Sequence, residues 1–581
     1  MKPFRPMTRY LSLTRAILLG FVLALPLLRL AWDQWVQSLV GVSISFLVVL
    51  GCVLVLMGRT ADGGRGLSVT RSYGPFGAVV LLASLVSTFQ SSYLQSALPG
   101  LLNDFPAWAF FFVGAVSQGE TRILFRRAFA GAGLVAIVAA FLFAVDRSGP
   151  WTGPLVNPNI FAALVLLTAP ALFDFAFDPS SSRWVRTFWI GALVLMGTGL
   201  VLSRSLVGVA VAVIQGTVAL GYRWTKSEGR KTLLLLLVVA IGGVGLYLNQ
   251  ADWGKVFRGD PDRLTWMGTA FEIFKAHPIF GAGPGTFGEA YPAFRTDPWG
   301  LNSLYVHNFV LEWLAERGAA GGGVLILFIV VLVGRNWRTY RKTGLGLGLA
   351  GFCLFNLFHI GFSFPGLYWL FFLGLGLTVG EESESASTDE IAGNPIASKW
   401  IVAPLVVWSL VGLSFFAVFR ANQLCEKARM AAHANRFEMA LEWLDQGLRW
   451  NRWYPPLYEL RAIVRIQNQD WDGASADLER ATELAPTRAG YRMELAELAL
   501  EKGDRGRALR EYEKATHLLP LKAAAWERWG DLLAADGKKE EASRAYDGAL
   551  RALADPRVLG GDPDRRAETA RRIEGKRRHE K

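Results

Sequence analysis

Arg204 stands in the stretch LVLSRSLVGVAVAV, apolar on both sides. An ionisable residue in such a place is costly and points first to a functional role. Three further arginines, Arg258, Arg263 and Arg295, fall in one hydrophilic segment, 250–306, and His307 follows it. Guanidinium groups make forked, charge-assisted hydrogen bonds to phosphate oxygens and keep their charge when partly desolvated. An imidazole accepts a proton near neutrality. The arginines suit a phosphate-bearing anion, and His307 is a candidate base beside them. Asn157, Asn159 and Asn308 add neutral polar groups that could hold the same ligand. The bland alternatives are that Arg204 reaches out to an aqueous interface and that Arg258 and Arg295 are ordinary loop charges.

Other chemistries find less support. Cys52, Cys353 and Cys425 form neither a disulfide framework nor a CxxC site. His277, His359, His433, His517 and His579 lie at no metal-ligand spacing, and there is no paired-carboxylate DxD, so neither metal nor cofactor is expected. The glycines of GAGPGTFGEAYPAF (281–294) are not followed by GK[ST]. They read as a tight turn between two short helices rather than a phosphate loop.

The elements that must position these residues are apolar helices. Hydrophobic residues make up 52% of the 581 and charged residues only 19%, too apolar for one soluble protein of this size. Stretches able to cross a bilayer, which takes about 20 apolar residues, lie near 12–31, 36–57, 75–95, 98–117, 128–145, 156–177, 187–202, 205–221, 232–249, 318–334, 344–359, 361–380 and 400–420. Lys2, Arg5, Arg9 and Arg15 before the first resemble a secretory signal, but further apolar blocks follow at once, so it reads as a retained span. With a cytoplasmic N-terminus, the loops carrying Arg59, Arg65 and Arg71, then Arg122, Arg126 and Arg127, then Arg183 and Arg186, then Arg223, Lys226, Arg230 and Lys231, then Arg335, Arg338, Arg341 and Lys342 all fall inside. That is the positive-inside pattern, and it explains the net charge of +12 better than nucleic acid does. The acidic linker 381–399, with only Lys399, is a mild exception. The same parity puts Asn157 and Asn159, Arg204, the loop 250–306 and His307 on the outer face.

The ordered set NPNIFAALVLLTAP (157–170), VLSRSLVGVAV (201–211), DRLTWMGTAFEIFKAHPIFGAGPGTF (262–287) and HNFVLEWLAERGAAGG (307–322) resembles the O-antigen ligase and Wzy-type polymerase superfamily over roughly residues 10–380. The resemblance implies a metal-independent, inverting membrane glycosyltransferase of the bacterial inner membrane. Its donor would be an undecaprenyl-diphosphate-linked glycan on the periplasmic face, and its acceptor a hydroxyl of lipid A-core, of another lipid-linked repeat unit, or of a protein. It implies catalytic roles for Arg204, Arg263 and His307: the arginines stabilise charge developing on the leaving diphosphate, and His307 positions or deprotonates the acceptor. Arg295, Asn157, Asn159 and Asn308 are the expected substrate contacts.

The last 160 residues differ. Ala440, Ala474, Ala508 and Ala542 recur every 34 residues, as do Gly503 and Gly537, and Pro486 and Pro520. This is the tetratricopeptide period. The sequence therefore predicts an all-α chain: a polytopic membrane bundle of about 12–13 spans, twelve of them over 1–380 and one more at 400–420, then an α-solenoid of about three and a half repeats over 421–555. The charged tail 556–581 reads as disordered. Such arrays bind peptides or proteins, so a protein partner on the repeats is expected, on the periplasmic side if 400–420 crosses. A transporter with a repeat scaffold, or a bare anchor for the repeats, are the readings of another class. Neither explains the outer Arg–His set.

Overall fold

The computed structural model describes residues 17–20, 22–23, 65–143, 157–223, 243, 261–335, 337–385, 416–557 and 563–580. Every regular element among them is helical. The expected spans 36–57 and 232–249, nearly all of 400–420, and Arg258 lie outside the described residues, except for Gly243 and the helical residues 416–420. Residues divide into two compact units: 1–86, 99–260 and 307–413 form one, and 87–98, 261–306 and 414–581 the other.

The first unit is built from α1 (Arg65–Gln90), α2 (Leu94–Val116), α3 (Gly119–Phe143), α4 (Pro158–Ala176), α5 (Arg183–Leu202), α6 (Leu206–Arg223), α9 (Phe309–Gly318), α10 (Val324–Arg335), a short α11 (Trp337–Tyr340), α12 (Gly344–Asn356) and α13 (Pro365–Ser385). The tip of the α1–α2 hairpin, 87–98, belongs to the second unit. Five stretches among the described residues are long and apolar enough to cross a membrane: Ser72–Gln90, Gly119–Ala140, Pro158–Ala176, Arg183–Leu202 and Phe309–Arg335. α6 and α12 are shorter apolar helices. The expected break at Ser203 is present: α5 ends at Leu202 and α6 begins at Leu206.

Apolar burial distinguishes lipid from protein poorly, so close packing needs small residues and interhelical hydrogen bonds. α4 is the most enclosed span, with 72% of its apolar window buried against neighbours. It meets α12 where Gly348 faces the Leu167 carbonyl; a β-carbon at 348 would sit 2.2 Å from that oxygen. Gln215 of α6 ties both helices, donating to the Leu166 carbonyl at 3.0 Å and the Leu347 carbonyl at 2.9 Å. Between α9 and α10 the chain makes one π-helical turn, Ala319–Gly323, sequence AAGGG.

The second unit holds the described part of the loop and the repeats. The loop is α7 (Pro261–Ala276), a glycine turn, and α8 (Phe287–Phe294). Gly281, Gly283 and Gly285 all take positive φ (73°, 127°, 74°), which is why the turn is glycine-rich. The repeats are four antiparallel helix pairs: α14 (416–433) with α15 (Phe437–Trp450), α16 (Pro455–Gln467) with α17 (Trp471–Leu484), α18 (Ala489–Glu501) with α19 (Arg505–Leu518), and α20 (Ala523–Ala535) with α21 (Lys539–Ala554). That is half a repeat more than the sequence suggested. Ala440, Ala474, Ala508 and Ala542 are all fully buried. The turn inside each pair takes the left-handed conformation at Asn435, Gln469, Gly503 and Gly537, again 34 apart.

The tail corrects the sequence reading. Pro563–His579 is a helix, α22, not a disordered segment. Ile573 is fully buried against Leu533, Ala545 and Tyr546 of the last pair. Lys576 bonds Glu527 and Asp531 at 2.8 Å each, and Arg572 pairs with Glu527 at 2.8 Å. Charge made this segment look solvated. The complementary acids lie 45 and 49 residues upstream, where composition cannot reveal them. α22 thus covers the outer face of the last pair.

Candidate active site

Within the first unit, Asn157 and Asn159 lie at the start of α4, fastened to the turn that carries Arg204. Asn157 caps α4: its side-chain oxygen accepts from the Asn159 and Ile160 backbone N–H groups at 2.9 and 3.4 Å. Pro158 follows at the first helical position, where its missing N–H costs nothing. Asn159 accepts a hydrogen bond from Ser205 Oγ at 2.8 Å. Ser205 is the neighbour of Arg204, so the 157–159 turn and the α5–α6 turn are fastened together. Arg204 itself is exposed and sits at φ 54°. Its backbone N–H reaches the Val201 carbonyl at 3.0 Å, and Ser203 caps the same turn on the Leu200 carbonyl at 2.6 Å.

His307 stands at φ 61° just before α9. Asn308 is the N-cap of that helix: its oxygen accepts from Leu311 N at 3.1 Å and its nitrogen donates to the Leu357 carbonyl at 3.2 Å. Asn157 and Asn308, expected to touch substrate, thus use their amides to start helices. One turn along, Glu312 is buried and accepts from Ser363 Oγ at 2.5 Å.

Only four non-glycine residues among those described have positive φ. Two, Asn435 and Gln469, are the repeat-turn positions; the other two are Arg204 and His307. A side chain in that region strains the backbone by roughly 1–3 kcal/mol unless its surroundings over-determine it, and such residues cluster at working sites.

The sequence reading missed a buried ionic network in the same unit. Arg317, 7% exposed, reaches Asp104, 0% exposed, through Nη2 at 3.2 Å and Nε at 3.3 Å. Its Nη1 contacts Glu316 at 3.2 Å. Asp104 also accepts from Ser84 Oγ at 2.7 Å and Tyr368 OH at 3.0 Å. Asp104 and Arg317 are 213 residues apart. The signal was a lone acid in LLNDFPAWAF and a lone base in LAERGAAGG, each within apolar surroundings.

Arg263 and Arg295 belong to the second unit. Arg263 lies in the first turn of α7, half-buried, beside Asp262. Trp266 on the next turn donates to the Leu301 carbonyl at 2.8 Å and closes the loop on itself. Arg295 ends α8. Its guanidinium lies 5.4 Å over the Tyr291 ring, bonds Asn302, and donates to the Leu518 carbonyl of the repeats at 3.1 Å. Burial pulls this guanidinium below its usual pKa and pushes the Tyr291 phenol above its own. Arg295 Nε and Nη1 are buried without a hydrogen-bond partner. The hairpin tip adds Ser91, which donates to the Ala282 carbonyl at 2.5 Å, and Gln95, whose amide faces that of Asn451 at 3.4 Å. A β-carbon at Gly283 would lie 2.6 Å from Ser91 Oγ, so this approach needs glycine.

Comparison with known proteins gives two family matches. The O-antigen ligase family model matches residues 191–326, and the tetratricopeptide repeat-like domain model matches 423–559. No curated protein matches. Among solved structures, MamA is 16% identical, covering 28% of this chain and 96% of its own, with a TM-score of 0.22. YrrB, described as a TPR protein with an unusual peptide-binding site, is 18% identical, covering 27% of this chain and 84% of its own, with a TM-score of 0.21. PilF of Pseudomonas aeruginosa is 16% identical, covering 32% and 78%, with a TM-score of 0.21. Likenesses at this level carry no inference about what this chain does. The stretch 191–326 takes in Arg204, the loop with Arg263 and Arg295, and His307. Among the described residues, every regular element is helical and five helices are of membrane-spanning length; residues 191–326 match the O-antigen ligase family and residues 423–559 the tetratricopeptide repeat-like domain.

Proposed function

We propose that this protein is a membrane glycosyltransferase that moves a glycan from undecaprenyl diphosphate onto an acceptor hydroxyl at the periplasmic face of the inner membrane. The observation that carries the proposal is the left-handed backbone at Arg204 and His307, the two described residues outside the repeats that keep a non-glycine side chain there. In the transfer, the bond from the sugar's anomeric carbon to the diphosphate oxygen breaks as the acceptor oxygen bonds to that carbon from the opposite side, inverting it. The diphosphate leaves with the electron pair. Arg204 and, on the loop, Arg263 stabilise that growing negative charge. His307 takes the acceptor proton. Diphosphate is a good leaving group, so no general acid is required.

The loop-to-repeat contacts support a periplasmic repeat domain. Polar segments in direct contact share one aqueous phase. Three helical segments, Phe309–Arg335, Gly344–Asn356 and Pro365–Ser385, separate the loop from the repeats. If the apolar stretch 400–420 crosses, as its sequence suggests, loop and repeats lie on the same side. The positive-inside pattern then puts loop, hairpin tip and repeats outside. Externally added protease should cleave the repeats in spheroplasts; complete protection would overturn this topology.

A protein acceptor is the second reading, favoured because the repeats pack directly on the loop that carries Arg263 and Arg295. The deciding experiment is glycan analysis of lipopolysaccharide and envelope proteins from a deletion strain complemented with wild type, Arg204→Ala or His307→Ala. Loss of one glycoconjugate in the deletion and both variants, at normal protein levels, is expected. Full complementation by either variant would refute that residue's role.

A further inference from the structure

We infer that the last repeat is a fixed brace for the loop, with Arg557 and Trp299 as positioning residues for Arg263. The inference rests on the transfer reading above. α7 carries Asp262 and Arg263 side by side, so whatever holds one sets the other. Arg557, just after α21, donates through Nη1 to Asp262 Oδ1 at 2.7 Å and through Nη2 to the Trp299 carbonyl at 3.0 Å. Arg557 is itself held: Asp555 accepts from its Nε at 2.9 Å and its Nη2 at 2.7 Å. The Asp555 hydrogen bond is the main reason its guanidinium is pushed above its ordinary pKa, with Asp262 adding to it. Beside this ion pair, the indole of Trp299 stacks on Trp526, centroids 5.6 Å apart and planes 12° apart, while Arg551 covers Trp299 at 4.3 Å. Arg295 makes the third attachment, on Leu518. The loop is therefore gripped at both helices and at the turn after them, by residues from two successive repeats.

A brace differs from a passive neighbour in its effect on turnover. Misplacing a reacting group by about 1 Å can cost on the order of 10²-fold, so loosening α7 should act on the chemical step more than on donor binding. The test uses the full-length protein in proteoliposomes with an undecaprenyl-diphosphate-linked glycan and its acceptor. It compares Arg557→Ala, Arg557→Lys, Trp299→Ala, Asp262→Ala and the Asp262→Ala/Arg557→Ala double variant. Alongside transfer, limited proteolysis of 261–306 reads loop order without depending on activity. Expected are a fall in kcat of roughly tenfold or more for Arg557→Ala with little change in donor KM, partial rescue by Arg557→Lys, and a double variant no worse than the worse single. Faster loop cleavage should accompany each loss, and Trp299→Ala, which leaves the repeats untouched, should behave like Arg557→Ala. Unchanged kcat and unchanged cleavage in both Arg557→Ala and Trp299→Ala would overturn the brace. If wild type shows no transfer but Arg557→Ala still speeds loop cleavage, the transfer reading falls and the brace stands.

Discussion

Replacing Arg204 with glycine should leave the protein more stable than replacing it with alanine does, and inactive. At φ 54° a β-carbon costs about 1–2 kcal/mol that glycine does not incur. Glycine's extra freedom in the unfolded chain returns about 0.4–1 kcal/mol of that. The net expectation is that Arg204→Gly exceeds Arg204→Ala in stability by about 0.5–1 kcal/mol, because alanine keeps the β-carbon. At His307, φ 61°, the gain should be smaller, since histidine tolerates the left-handed region better than most residues. Both glycine variants should lose transfer, on the order of 10²–10³-fold for a charge-stabilising donor and 10²–10⁴-fold for a general base. The measurements are denaturant midpoints of the purified protein in detergent and initial rates in proteoliposomes. Two results would sink the reasoning: a glycine variant less stable than its alanine counterpart, or a glycine variant that keeps transfer within about twofold of wild type, against the losses expected above.

Three further perturbations follow from the geometry. Arg317→Ala should cost roughly 3–5 kcal/mol by leaving Asp104 charged and alone in a buried place, whereas Arg317→Met with Asp104→Asn should recover much of it; yield of folded, detergent-stable protein reads the difference. Deleting 563–581 should expose Ile573's partners Leu533, Ala545 and Tyr546 and speed hydrogen exchange in α20 and α21, while α16 stays unaffected. Burial, with the charge of Glu459 adding to it, pushes the Glu494 carboxyl up to about 7. A carboxyl whose folded pKa is raised favours folding when protonated, so its contribution is fully present below the ordinary carboxylate range and is lost as pH rises towards 7. Protection of α18, corrected for intrinsic exchange, should therefore be greater at pH 5 than at pH 8, and Glu494→Gln should flatten the difference.

What could be read from the sequence followed from local period and composition. The span edges around Ser203, the glycine turn at 281–285 and the 34-residue repeat all rest on contacts close in the chain. Gly503 and Gly537 were legible as a repeating position, and glycine allows the left-handed turn found there; at Asn435 and Gln469 the same turn carries no such mark. Asn157 and Asn308 were read as ligands for substrate, although an asparagine before Pro158 and before the helix at Phe309 is equally a capping signal. Arg557–Asp262 and Arg317–Asp104 join residues 295 and 213 positions apart, and no pattern within either segment names its partner.

The π turn at Ala319–Gly323 follows Gly318, which takes φ 61° and ψ −167°, so α9 and α10 meet at an irregular joint rather than in one continuous rod. Each residue of an α-helix advances the phase by about 100°. Across this joint, Trp313, Glu312 and Glu316 before it and Leu325, Phe328 and Leu332 after it are all buried. A residue removed at this joint changes the phase between α9 and α10, and with it the direction of the segment that carries His307. Chain length at this one spot, beside the Arg317–Asp104 pair, is thus expected to set the direction of His307, and a one-residue deletion there should lower transfer in the proteoliposome assay.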